Sequence, residues 1–363
     1  FEMVQGDVIP DRWASDAVRE ALDTCLSCKG CKRDCPTHTD VASYKAEFLS
    51  QYYQTRARPR QAYFFGMIGR WAPIAAPFGW LVNAVARMPG LSVVAKWIAG
   101  IARERRLPRF AKRRFSIAAP TLAQTGTFKR SVLLWVDTFC EHFHPEIAEA
   151  AVKVLNAAGC RVLFPERRLC CGRPLYDFGL LDQAKQELTE VLDALAQAIE
   201  EGVPVVGLEP SCLSVFKDEM LQFFPDDTRA KRLAAQTYLF ADYLNHVGYQ
   251  PPPMDANVLL HGHCHQKAVF GMAAETELLD KLGVTYKLLD NGCCGMAGGF
   301  GFDRRHYAMS QAIAEHELFP ALRSIDSDTL IVSGGFGCRE QIPQGTPRRA
   351  LHIAQLLERA LER

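Results

Sequence analysis

The sequence predicts an α/β protein in which one doubly wound unit occurs twice, preceded by a small all-α unit that carries a metal cluster. Three observations lead there. From Ser131 onward, apolar strand-like stretches alternate with helical ones, as a parallel sheet with crossover helices requires. Across the same region the cysteines recur in register: Cys140 with Cys264, Cys170-Cys171-Gly172 with Cys293-Cys294-Gly295, and Cys212 with Cys338, at offsets of 124, 123 and 126 residues. Ahead of both copies, Cys25, Cys28, Cys31 and Cys35 run tightly into Pro36.

Taken in order, residues 1–55 read as a helical unit. Ser15 can cap a helix over 15–24, with Asp16 in its first turn and Val18, Ala21 and Leu22 on its apolar face. A second helix follows Pro36 through Ala42, Phe48, Leu49 and Tyr52. Residues 56–130 form a basic, aromatic linker with a helix-period stripe of Val94, Trp97, Ile98 and Ile101. Pro73, Pro77 and Pro89 interrupt its apolar stretches before any reaches the roughly 20 residues of a spanning helix. The first α/β unit is expected over 131–250, with strands Val132–Val136, Val162–Phe164 and Val205–Leu208 and helices over 145–158, 181–200 and 231–247. The second is expected over 251–363, with strands Val258–Leu260, Thr285–Leu288 and Leu330–Val332 and helices over 272–282, 304–318 and 348–362. Burial alone does not keep four cysteines in register twice, so the repeat implies a shared role at strand ends, where open α/β sheets place their sites.

Composition narrows the chemistry. With 363 residues and 48% hydrophobic content the chain can build a sizeable core. Thirteen cysteines in such a chain fit metal ligation in a reducing compartment better than the disulfide framework of a small secreted domain. The chain opens on Phe1 with neither an initiator methionine nor a signal-peptide pattern, and is expected to be a fragment or a processed piece. Net charge is only +1, yet residues 56–114 hold 13 Lys and Arg against one acid, Glu104.

The run Cys25, Cys28, Cys31, Cys35, Pro36 matches the C-x2-C-x2-C-x3-C-P spacing of a 4Fe-4S cluster, because thiolates three residues apart in a tight loop can reach three corners of a cubane. In two-cluster modules the cysteine before proline ligates the other cluster, so Cys35 is expected to serve a second centre or to become the fourth ligand here. A zinc knuckle is the rival reading. In the repeats, the adjacent thiols Cys170-Cys171 and Cys293-Cys294 can approach an iron centre from one backbone turn, joined by Cys140 and Cys212 in one copy and by Cys264 and Cys338 in the other. Gly172 and Gly295 are expected to remove bulk beside each centre, and Gly298 and Gly299, with Gly301, to present N–H groups to an anionic cluster. Cys160 has no partner in the repeat and reads as a small buried hydrophobe. His142 and His144 flank Cys140, and His261, His263 and His265 flank Cys264, which keeps a mixed Cys/His zinc site open; the same rings could instead orient ligands or hydrogen-bond to sulfur.

At these residues the chain resembles a known family. The paired units look like the CCG cysteine-rich domain of heterodisulfide reductase, the glycolate oxidase iron-sulfur protein and the lactate utilisation proteins. The strings CLSCKGCKRDCP, DTFCEHFHPE, CCGRPLYDFG, EPSC, HGHCHQKA, GCCGMAGGFG and GFGCREQI are closer still to the C-terminal half of bacterial FAD-binding and Fe-S-binding oxidoreductases of the D-lactate and D-2-hydroxyglutarate dehydrogenase type, over about residues 15–360. The resemblance implies Rossmann-like units, one ferredoxin-type 4Fe-4S cluster and one or two more at the CCG sites. It also implies FAD on a preceding part or a partner dehydrogenase subunit, and a quinone or similar acceptor. No G-x-G-x-x-G fingerprint heads a βαβ unit in this chain, so substrate oxidation is expected elsewhere. One departure stands out: where the heterodisulfide reductase pattern has a fifth cysteine, this chain has Glu209 in one copy and Gly335 in the other. That favours electron relay over the alternative of thiol/disulfide catalysis, with a zinc-binding interaction protein as a third reading.

For the basic segment three partners fit: an anionic membrane surface at the inner face of the cell membrane, the acidic surface of a flavoprotein, or the α/β body itself, with Trp97, Ile98 and Ile101 packed inward. Nucleic acid is not expected, since the arginines accompany no binding fold and the cysteines no finger spacing. The expected location is the cytoplasm.

Overall fold

The computed structural model describes residues 2–119, 122 and 128–362. The 120–127 end of the expected linker therefore lies, Leu122 apart, outside the described residues. Two four-stranded parallel sheets organise the chain. The first comprises β1 (Arg130–Trp135), β2 (Cys160–Leu163), β3 (Val205–Gly207) and β4 (Thr237–Leu239), in the order β2-β1-β3-β4. The second repeats it with β5 (Asn257–His261), β6 (Thr285–Leu289), β7 (Leu330–Val332) and β8 (Ala350–Leu351), in the order β6-β5-β7-β8.

Side-chain alternation explains why each sheet is covered on both faces. Val132 and Leu134 of β1, with Val258 and Leu260 of β5, join a core common to both repeats, to which Ile147, Leu155, Ile353 and Leu357 contribute from the helices Pro145–Ala157 and Ile353–Leu361. Leu133 and Trp135 face the other way, into a core with Leu188, Leu213 and Phe216. Leu259 does the same in the second repeat, against Leu318, Phe319 and Ile342. The common core makes the two repeats one packed body.

Both repeats differ from expectation at their last strand. The helices expected over 231–247 and 348–362 are interrupted by the edge strands β4 and β8. Each edge strand has only two or three residues and makes hydrogen bonds along one side, so no strand-like apolar run announces it. The helix expected over 304–318 starts at Tyr307, because Asp303 closes a turn by accepting from the Arg305 N–H at 2.8 Å, and a second helix, Leu318–Ser324, follows.

The N-terminal part is helical. Ser15 Oγ accepts from the Val18 N–H at 3.3 Å and so caps the helix Asp16–Asp23, and Asp40 caps the helix Val41–Tyr52. The basic segment folds into the short helices Arg60–Phe64, Ile68–Ala75, Gly79–Val85 and Leu91–Ala99, with Pro73 inside the second. Among the described residues no helix is long and apolar enough to cross a membrane. The segment is strapped to the second repeat: Ile101 bridges Asp303, and buried Arg105 donates to Gly301 O, Gln341 Oε1 and Ser310 Oγ, each at 2.6 Å. The stripe divides. Ile101 packs inward, whereas Trp97 and Ile98 are 60% and 55% exposed, so of the three readings the one in which all three face the body holds only for Ile101.

Candidate metal centre

In a sheet ordered 2-1-3-4 the chain reverses direction of winding between the first and third strands, and the crevice beyond their carboxyl ends is the natural site. The cysteines sit there. Beyond β1, Asp137 Oδ1 accepts from the N–H groups of Phe139 and Cys140 at 2.8 and 3.1 Å, starting the helix Thr138–His142 that carries Cys140. Beyond β3, Glu209 caps the helix Pro210–Lys217 and sets Cys212 in its first turn. Beyond β2, Gly172 (φ +74°) turns the chain so that Cys171 Sγ lies 3.1 Å from Cys212 Sγ, while Cys170 contacts Cys171. The neighbours acting most strongly on Cys140 are Asp137, Arg339 and Glu209, two of which, Asp137 and Glu209, also act on Cys212.

The second repeat brings all four thiols into one chain of contacts, Cys264 to Cys293 to Cys294 to Cys338. Cys264 opens the helix Cys264–Val269, and Gly295 (φ +84°) turns the CCG segment so that its own N–H donates to Cys293 Sγ at 3.4 Å. A Cβ at 295 would lie 2.3 Å from Ser310 O, and one at 172 would lie 3.2 Å from Ala184 O, so each glycine admits a left-handed turn against helix backbone. Gly298 and Gly299 line the cavity described below.

Three histidines surround these thiols, and their partners fix their tautomers. His263 Nδ1 accepts from the His265 N–H at 3.2 Å, which leaves the proton on Nε2, 4.0 Å from Cys264 Sγ. His265 Nε2 faces a guanidinium N–H of Arg173 and must accept, so its proton is on Nδ1, 3.7 Å from the same sulfur. Both rings therefore direct an N–H toward Cys264. A ring nitrogen of His261 and the sulfurs of Cys294 and Cys338 lie within 4.8 Å of one another. In the first repeat the flanking rings go elsewhere: His144 pairs with Glu146 and Glu340 at 2.9 and 3.3 Å, and His142 is buried with its basicity lowered to about 4 by burial and by Arg168 and Arg114.

One cavity of about 270 Å³ joins the two crevices, and Cys170, Cys171, Cys212, Cys264, Cys293 and Cys294 all line it. Cys25 reaches it from the N-terminal loop, and Cys28 lies close enough to Cys264 for the two charges to repel. The loop is held in place by Lys29, an addition that spacing did not announce. Its buried ammonium pairs with Asp218 at 2.6 Å, Glu219 at 2.8 Å and Asp40 at 3.1 Å; Glu219 in turn binds Arg173, which binds His265. Cys31 Sγ accepts from the Val41 N–H at 3.4 Å. Cys35 stands apart, bonded to Thr37 Oγ1 at 3.1 Å, and hydrogen bonds from Thr37 and Thr39 lower its thiol to about 6. Cys160 is buried in the common core, 3.8 Å from Tyr243 OH.

The donors fit a cationic metal core. Cys170 is pushed well above the usual thiol range by its bond to Cys171 and by burial, and Cys212 rises to about 12, where burial and the charge of Asp137 outweigh the lowering contact with Cys171. Thiols crowded together out of water give up their protons only to a compensating positive charge. Backbone also closes in from the basic segment: a Cβ on Gly69 would lie 2.7 Å from Cys170 Sγ, so that helix has room for no side chain there.

Doubled α/β units with cysteines converging at their switch points define an iron-sulfur module of the oxidoreductase class. The model of the CCG cysteine-rich domain matches residues 137–217 and 258–342. Lactate utilization protein A of Geobacillus kaustophilus is 30% identical over 244 residues, which cover 62% of this chain and 98% of the relative. The chain belongs to this CCG family. It is also similar to one of the subunits of the anaerobic glycerol-3-phosphate dehydrogenase of Escherichia coli (28% over 298 residues, 79% of this chain and 74% of the relative) and to D-2-hydroxyglutarate dehydrogenase of Pseudomonas putida (26% over 356 residues, 94% of this chain). The match covers 34% of that last, longer protein.

Proposed function

We propose that this chain is the iron-sulfur electron-transfer section of a FAD-linked 2-hydroxy acid dehydrogenase, receiving electrons from a flavoprotein domain or subunit and passing them toward a quinone or similar acceptor. Relatives named for D-2-hydroxyglutarate dehydrogenation and for lactate utilization support the 2-hydroxy acid class, and the glycerol-3-phosphate relative supports the division into subunits. The observation that carries the reading is the convergence of thiols from three separate stretches on one cavity.

In this reading Cys25, Cys28 and Cys31 hold a ferredoxin-type 4Fe-4S cluster, with Cys35 as its fourth ligand or as a ligand to a neighbouring one. Cys140, Cys170, Cys171 and Cys212 form the first CCG set, and Cys264, Cys293, Cys294 and Cys338 the second. When bound, the clusters supply one-electron steps; the chain supplies their spacing, the exclusion of water and hydrogen bonds to sulfur from His263 and His265. The cavity is also lined by the aromatic rings of Phe65, Trp71, Phe110 and Phe143, which suit a flat apolar acceptor. Exposed Ile74, Trp80, Trp97 and Ile98 on the basic segment suit contact with an anionic membrane surface.

Oxygen-free purification tests this. The protein should be brown, contain iron and acid-labile sulfide, and lose its broad absorbance near about 400 nm on reduction with dithionite. Cys171→Ser and Cys294→Ser should each lower the iron content, and the double variant should lower it further. Parent protein that carries stoichiometric zinc in place of iron and sulfide overturns the reading.

A further inference from the structure

The histidine that ends β5 is placed differently from the other two near Cys264. His261 is buried, its Nδ1 lies 3.1 Å from Asn291 Oδ1, and its Nε2 has no hydrogen-bond partner among the described residues. The Asn291 atom must be the oxygen, because it also faces Lys267 Nζ at 3.2 Å, which can only donate. Lys267 Nζ is anchored further by Asn291 O at 2.5 Å. The His261 proton is therefore on Nδ1, and Nε2 carries a free lone pair.

A ring nitrogen of His261 is within 4.8 Å of both Cys294 Sγ and Cys338 Sγ, and Nε2 is the one with a lone pair to give. Metal–sulfur bonds of about 2.3 Å and metal–nitrogen bonds of about 2.1 Å let one ion touch three donors at such separations. A buried acceptor left unpaired is destabilising and calls for a physical reason. A ligating histidine whose other nitrogen is fixed by an amide oxygen, itself fixed by a lysine, has the orientation and basicity that metal binding demands.

We propose that His261 is a nitrogen ligand of the second repeat's metal centre, shared with Cys294 and Cys338. The first repeat has no imidazole there: three residues before Cys140, as His261 is before Cys264, stands Asp137, whose Oδ1 caps its own helix and whose buried Oδ2 has no hydrogen-bond partner among the described residues. The two CCG centres are thus chemically distinct. A neutral imidazole at this place leaves the centre less negative than a thiolate there would, and so keeps its reduction potential higher.

This inference rests on the proposed iron sites, and one experiment separates the two. The full chain is purified without oxygen, with natural or 15N-labelled histidine, reduced with dithionite and examined by pulsed EPR. A histidine nitrogen coupling that shifts with the label, disappears in His261→Gln and persists in His263→Gln is the expected result. His261→Cys, which keeps a donor in place should the glutamine variant not fold, should retain iron, lose the coupling and lower the potential. An iron-sulfur signal that labelling leaves unchanged, or a coupling that survives both His261 variants, overturns the inference alone. Protein with no iron signal at all overturns the iron sites and the inference together.

Discussion

Replacing Lys29 by Met tests what holds the N-terminal cysteine loop against the α/β body. The ammonium is fully buried and meets three carboxylates, from Asp40 of its own unit and from Asp218 and Glu219 of the first repeat. Removing one partner of a buried ion pair costs about 3–5 kcal/mol, because the charges left behind stay desolvated. Here the lower end applies: Glu219 keeps Arg173, and Asp218 keeps Lys32 at 2.6 Å. Asp218 gives an independent scale. Despite burial, Lys29 and Lys32 hold its carboxyl down to about 2 from 3.8, which corresponds to about 2 kcal/mol of stabilisation.

A loss of about 3 kcal/mol at this junction raises the opening probability of the N-terminal unit about a hundredfold. Backbone amides of the helix Val41–Tyr52 should therefore exchange with deuterium about a hundredfold faster in Lys29→Met, measured by mass spectrometry on the iron-loaded protein. Because Asp218 is depressed in the folded state, its contribution is complete above its unfolded value and fades as pH falls from about 4 toward 2. Lys29 is raised, so its contribution is complete below about 10.5 and fades above it. The difference between parent and variant should then be flat between about pH 5 and 9. A double-mutant cycle with Asp218→Asn should return a coupling of about 1–3 kcal/mol. Exchange accelerated less than threefold, with no coupling, refutes the assignment of Lys29 as the clamp.

Other substitutions probe other parts of the chain. Arg105→Ala leaves the neutral acceptors Gly301 O, Gln341 and Ser310 without their buried partner and should destabilise by about 2–4 kcal/mol in thermal or urea unfolding, with Arg105→Lys recovering less than half because it lacks the planar fork. Glu275 is pushed up to about 8 by burial and by Asp242, so the folded state holds an extra proton between about pH 4.5 and 8 and loses stability across that window. Glu275→Gln should accordingly raise the melting temperature at pH 9 and leave it unchanged at pH 4. Trp80→Ala with Trp97→Ala should weaken flotation with anionic vesicles several-fold at constant iron content; equal flotation of parent and variant removes the membrane reading of the basic segment.

The strands that carry the site were legible because each is an apolar run with a bulky residue on both faces, as in β1 and β7. The edge strands were not, since Thr237–Leu239 and Ala350–Leu351 are shorter than a turn of the helices that flank them and contribute no period of their own. Cysteine spacing showed which thiols belong together in a repeat. It could not show that Cys28 faces Cys264, or that Lys29 meets Glu219, because those contacts join loops far apart in sequence whose approach depends on how the N-terminal unit docks. Val94, Trp97 and Ile98 of the expected stripe lie on the helix Leu91–Ala99, but Ile101 falls beyond its Gly100 cap, and periodicity fixes only which residues share a face and not what that face meets.

The missing fifth cysteine in each repeat has a different physical cause. At the first position Glu209 does what a thiol could not: one carboxylate oxygen accepts from the Ser211 N–H and hydroxyl at 3.3 and 2.7 Å, and the other from the Phe336 N–H at 2.7 Å. It thus caps the helix bearing Cys212 and, across the interface, the helix bearing Cys338, fixing the two crevices relative to each other. At the second position the space is already taken. A Cβ on Gly335 would lie 2.1 Å from the His263 ring, and that ring directs its N–H at Cys264. A cysteine at 335 would displace a hydrogen bond to sulfur in order to add a sulfur. In each repeat the place of a possible fifth ligand is thus held by a group that positions the remaining ones, and the two places adjoin, since Glu209 accepts from the residue that follows Gly335.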